Sequence, residues 1–201
     1  MRRVRALLGV VLGLAAGRAA AQDLPASVTR QLPRGFQVLK TAEGKLDGGL
    51  RSYVLVALAL GDEDAYSRAH ADAPRRPLLL FIGRTNGTYA LAGRNDQVVT
   101  GLESEWQCDP FTSTYDGLTV KGPYFTVENG AACGTHWSDF VTFRYEPARH
   151  AFVFWKEIYQ NWKRNDDPNG DALVLDADVV TKADPRRPVP FSAYGKATPG
   201  R

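Results

Sequence analysis

Residues 76–96, "RPLLLFIGRTNGTYALAGRND", constrain this chain more than any other stretch. Two β-rich segments flank Asn86-Gly87. Both of those residues tolerate positive φ, so the pattern predicts a tight antiparallel hairpin. The same grammar recurs along the chain. Tyr53–Leu60 is a continuous apolar run, as expected of a strand buried on both faces. Further on, "DGLTVKGPYFTVEN" breaks at Lys-Gly-Pro, and "SDFVTFRYEPARHAFVFWKEIY" predicts two long strands joined across Glu146–His150. In the first of these, Phe140, Thr142 and Arg144 alternate with Val141, Phe143 and Tyr145, which gives one wet and one apolar face. "DALVLDADVVT" adds a last strand or two. "GDEDAYSRAHADAPRRP" is polar and closes on prolines, which predicts a surface loop with a helical turn. No long amphipathic helix competes with these segments. The expected fold is therefore a single all-β antiparallel domain of hairpins in a meander, either a sandwich or a propeller-like arrangement. Its core spans roughly 35–182, and a Pro-rich loose tail covers 183–201.

Residues 1–21 read as a signal peptide. Arg2, Arg3 and Arg5 precede an apolar stretch over Ala6–Ala16, and Ala19-Ala20-Ala21 supplies small residues for cleavage before Gln22. No cysteine follows that stretch before Cys108, so no lipid anchor is expected and the predicted destination is the periplasm. The whole chain carries 25 Lys+Arg against 22 Asp+Glu, but four of the arginines lie in residues 1–21. The remainder holds 21 against 22, a net charge near −1, without the basic stripe that nucleic-acid binding requires. In an oxidising compartment Cys108 and Cys133 read most economically as a disulfide. The alternatives are free thiols or a metal pair, and His70, His136 and His150 show no ligand spacing that would support the metal.

Asp47-Gly48 raises the question of calcium. Its register places Glu43 first, Lys45 third, Asp47 fifth and Arg51 ninth, so two carboxylates share the site with two cations. Each cation opposes metal binding, and the loop is expected to be an ordinary turn without calcium. "DPNGD" at 167–171 has alternate oxygens but Ala172 in place of the turn glycine, and is read as an ordinary loop. Catalytic motifs are absent. His136, Ser138 and Asp139 are nearly adjacent, yet in an extended segment Asp139 points away from the other two, so no triad is expected.

"GKLDGGLRSYVLVAL", the 76–96 hairpin, "CDPF" and "LTVKGPYFTVENGAACGTHWSDFVTFRYE" together resemble a group of bacterial periplasmic proteins. Members carry "GDLNGDGxxDYVLVL", a "DGTYKL…ND" hairpin, "DPF", a "GSxxRW" loop and "TFRY". Their Asp-rich loop is similar to the FG-GAP loops of integrin-type propellers, and this chain departs from them there. The resemblance implies an immunity protein that blocks secreted, lysozyme-like peptidoglycan hydrolases without chemistry of its own. On that reading Gly134, Thr135 and His136 form the tip of a 129–137 loop braced by Trp137 and stapled to the Cys108 segment, with Trp106 and Asp109 beside it. The partner is then a peptidoglycan hydrolase or another envelope protein, and no cofactor is needed. The alternative is a cell-envelope glycan- or protein-binding module working through exposed aromatics. A purely structural envelope component is a third possibility.

Overall fold

The computed structural model describes residues 24–70, 72–101, 109–112, 117–131, 136–167 and 169–195. Nine strands and two helices order the described chain. These are α1 (Ala26–Thr29), β1 (Phe36–Leu46), β2 (Arg51–Leu60), α2 (Glu63–Ala69), β3 (Arg76–Gly83) and β4 (Tyr89–Val99), followed by β5 (Leu118–Lys121), β6 (Tyr124–Ala131), β7 (His136–Glu146), β8 (Ala151–Arg164) and β9 (Leu173–Lys182). They form two antiparallel meanders: sheet 1 in the order β1-β2-β3-β4 and sheet 2 in the order β5-β6-β7-β8-β9. Neither sheet closes into a barrel, and the single domain is all-β, as expected. One core joins side chains of both sheets, so their inner faces pack together as a sandwich.

Strand β2 shows why its sequence is apolar at every position. Tyr53, Leu55 and Ala57 face sheet 2, whereas Val54, Val56 and Leu58 enter a second cluster closed by Val28 of α1, Leu24 and Leu32. Tyr89 N–H donates to Ser27 Oγ at 3.0 Å and Gln31 Nε2 donates to the Tyr89 carbonyl at 3.0 Å, which fixes the α1 segment over sheet 1. Aromatic rings dominate the inner core. Phe125 stacks on Phe143 at 5.0 Å, and Phe143 meets Phe191 edge-on at 5.3 Å. Such pairs contribute about 0.5–1.5 kcal/mol each beyond their buried area.

Three local expectations are corrected. The 76–96 hairpin forms, but Asn86 does not take positive φ; only Gly87 does, at 77°. Gly87 N–H donates to the Arg84 carbonyl and Arg84 N–H to that of Thr88, which makes a three-residue loop with a bulged glycine. The stretch from Glu43 to Arg51, set out above as a loop register, is mostly strand. Glu43 pairs with Val54 and Lys45 with Ser52, leaving only Asp47–Leu50 as the connection. Finally, the chain from 183 to 195 is not loose. Phe191 is buried, Phe154 N–H donates to the Val189 carbonyl at 2.8 Å, and Asn95 Nδ2 donates to the carbonyls of Phe191 and Tyr194 at 2.6 and 2.9 Å. The prolines there fix an extended docked segment, which composition alone could not distinguish from a free one.

Tyr53 ties the two sheets. Its hydroxyl donates to the carbonyls of Gly122 and Tyr124 at 3.1 and 3.0 Å, across the core. Burial pushes its ionisation well above the ordinary value of 10.0. The unfolded chain therefore releases this proton first. The stabilisation is complete below pH about 10 and is lost as pH rises from there toward the folded value. Urea midpoints measured from pH about 8 to about 11 should fall more steeply for the native protein than for Tyr53→Phe, which removes the titrating group. Parallel curves would contradict this.

Candidate functional site

The register of sheet 2 builds a cleft on its outer face. Val141, Phe143 and Tyr145 of β7 point into the core, so His136, Ser138 and Phe140 point out. Across the ladders His136 pairs with Trp162, Ser138 with Gln160 on β8 and Gly130 on β6, and Phe140 with Glu128. These residues line a concavity of about 580 Å³, walled by Pro110 on one side and by Asp171–Leu173 on the other. That volume lies in the range of small-ligand sites. The floor is aromatic and apolar, from Trp162 and Phe140, while Gln160, Glu128, His136 and Asp171 supply hydrogen-bonding groups around it. Ser138 Oγ is buried and has no hydrogen-bond partner among the described residues.

The Asp109-Pro110-Phe111 stretch positions one wall. Phe111 is buried in the core, and Gly117 bends at φ 56° beneath its ring. Asp109, expected at a binding surface, is buried at 4% exposure, so its role is corrected from contact to support. Its Oδ1 accepts from Phe111 N–H at 2.9 Å. Its Oδ2 forms an ion pair with Arg76 Nη1 at 2.8 Å. Arg76 also holds the Glu63 carboxylate in a two-pronged grip, Nε to Oε1 at 2.9 Å and Nη2 to Oε2 at 2.6 Å. Burial alone pulls the Arg76 guanidinium toward neutrality; the Glu63 hydrogen bonds and the charges of Asp109 and Glu63 outweigh it and raise its pKa.

The predicted site residues separate. His136 and Trp137 are consecutive on a strand, so they face opposite sides of sheet 2. Both residues nevertheless border the cleft, and the Trp137 ring also stacks on Tyr159 at 6.5 Å. Asp139 lies on the Trp137 side, paired with Tyr159, and so cannot orient His136. Trp106, Cys108, Cys133, Gly134 and Thr135 lie outside the described residues, as does any bond between the two cysteines. Glu43 and Lys45 are strand residues on the exposed side of β1, alternating with buried Gly44 and Leu46. In the 165–172 loop the Asp167 carboxylate accepts from Asn169 N–H at 2.9 Å and so braces its own turn.

Sequence reasoning missed Trp162, Gln160, Phe140 and Glu128 as site residues. The aromatic run Trp155, Tyr159, Trp162 was visible, but a bulge after Thr142 of the β7–β8 ladder shifts the facing of the strand. As a result, Trp155 lies beneath the Arg144 guanidinium at 4.2 Å, Tyr159 meets Trp137, and Trp162 enters the cleft. Comparison of the chain with protein-family models, with curated proteins and with solved structures gives no match.

Proposed function

We propose that this protein is a non-catalytic binding protein of the bacterial cell envelope whose sheet 2 cleft takes a saccharide segment of the cell wall. The observation that carries the reading is the pairing of an aromatic floor, Trp162 and Phe140, with a ring of hydrogen-bonding side chains in one preformed concavity. Sugars offer the matching chemistry: apolar ring faces that stack on indole, and hydroxyls and amides that need polar partners. A second reading, the hydrolase inhibitor, is favoured by the resemblance. Of the loop expected over 129–137, residues 129–131 belong to β6 and 136–137 to β7, and 132–135 lie outside the described residues.

One experiment separates them. Purified protein is mixed with insoluble peptidoglycan, with and without a lysozyme-type hydrolase, and the pellet is assayed. The saccharide reading expects retention by the polymer alone. It also expects Trp162→Ala to weaken retention about thirtyfold, the effect of losing an anchoring aromatic worth about 2 kcal/mol. Retention only in the presence of the hydrolase, together with inhibition of wall clearing, would replace this reading with the inhibitor.

A further inference from the structure

Strand β9 is the last strand of sheet 2, and among the described residues only β8 pairs with it. It is ten residues long, with Leu175, Val179 and Val180 about half exposed. Such an edge is a template for further strand pairing. The opposite edge of the sheet is the four-residue β5, packed near β1.

The hydrogen-bond phase of β9 can be read from two bonds. Ala183 N–H donates to the Trp155 carbonyl and Asn165 N–H to the Ala172 carbonyl, each at 3.0 Å. These bonds bracket the Lys156–Lys182 and Arg164–Leu173 pairs, which are therefore the wide, non-bonded kind. The main-chain groups of Lys182 thus point away from β8. By the period of two, so do those of Val180 and Asp178.

We infer that β9 pairs antiparallel with β9 of a second copy, about a two-fold axis through Val179. In that register Asp178 of each copy faces Val180 of the other, and both present their main-chain groups outward, so four ladder bonds form. Thr181 meets Ala177, and Lys182 meets the Leu175–Asp176 bulge, whose Asp176 carboxylate is held by Lys163 of its own copy at 2.8 Å. Antiparallel pairing sets the late lysine of one strand toward the early acids of the other, whereas parallel pairing in register would set like charges together. The axis also joins apolar surface to apolar surface. Val179 pairs with Tyr159, which stacks on half-buried Trp137, so the two patches, exposed at Tyr159 and Val179, become one. A register centred on Ala177–Asp178 is excluded, because it sets residues of opposite faces against each other.

The dimer places both clefts on the same side of a continuous ten-stranded sheet. Strand spacing and rise put them about 30 Å apart, a geometry for binding a polymer at two points. That consequence rests on the proposed function; the pairing itself does not.

The test is sedimentation of the purified protein up to about 1 mM, where even weak association is visible. The native protein should sediment as a dimer. Val180→Pro removes an N–H that points away from β8, which an edge position tolerates, and should give a folded monomer. Val179→Cys should cross-link to a covalent dimer on oxidation while the native protein treated alike does not, because wide pairs bring Cα atoms within disulfide reach. A native monomer at the top concentration, a Val180→Pro dimer, or a Val179→Cys protein that stays uncross-linked would each overturn the pairing.

Discussion

Replacing Arg76 with leucine should destabilise the protein by about 3–5 kcal/mol, the cost of stripping a buried charge of its partner. That is a large part of the 5–15 kcal/mol that holds a typical domain together. Arg76 is 1% exposed and holds two carboxylates that come from separate elements, Glu63 of α2 and Asp109 of the segment beneath the cleft wall. Leucine fills part of the volume but leaves both anions inside the protein with no cation. Urea unfolding of Arg76→Leu should show the loss directly. The triple variant Arg76→Leu, Glu63→Gln, Asp109→Asn should recover much of it, because the remaining amides carry no charge to desolvate. If the triple variant were as unstable as the single one, packing rather than charge would be the cause. The single variant should also weaken cleft binding, since Asp109 fixes Pro110 in the wall.

How much of this could be read beforehand depends on the range of the signal. Strand alternation is local, so the inward facing of Val141, Phe143 and Tyr145 and the two-sided burial of β2 followed from spacing alone. The meander followed from the turns, including Gly122-Pro123. There a positive φ of 56° precedes a proline whose ring holds φ near about −65°, the combination of a two-residue II′ hairpin. The cleft was not legible in the same way. It requires His136 opposite Trp162 and Gly130 opposite Ser138, and a ladder with bulges hides those pairings from any count along the chain. His136 was singled out from its neighbours in sequence. The groups that share its face come from residues 26 positions later and from the opposite strand. Asp109 stood out in sequence because a buried ion pair and a binding carboxylate look alike until the partner is known. Its partner, Arg76, sat unnoticed at the head of the hairpin that was easiest to read.

Gly44→Val should be the most damaging change outside that triad, costing about 3 kcal/mol or more. Gly44 and Tyr53 are cross-strand partners, and the tyrosine ring lies flat over the glycine. A Cβ at position 44 would fall within 2.5 Å of the Tyr53 hydroxyl oxygen and closer still to the ring carbons Cζ and Cε1. Something must move, and the ring has nowhere to go. It is fully buried, packs on Phe152 at 4.9 Å, and is held by two carbonyls across the core. Overpacking alone costs about 1–3 kcal/mol. Displacing the hydroxyl adds the desolvation of two carbonyls that lose their donor, about 1–3 kcal/mol again. Against this stands only the gain of about 0.5–1 kcal/mol from replacing glycine in a strand. The sum is decided by the clash. Tyr53→Leu alone also destabilises, through the lost hydrogen bonds and a cavity, yet it opens the space that valine needs. The double variant Gly44→Val, Tyr53→Leu should therefore be more stable than the two single losses predict, by about 1–3 kcal/mol of coupling in a cycle of urea midpoints. Strict additivity would mean that β1 shifts as a whole to admit the side chain, and that the tyrosine is not what makes position 44 a glycine.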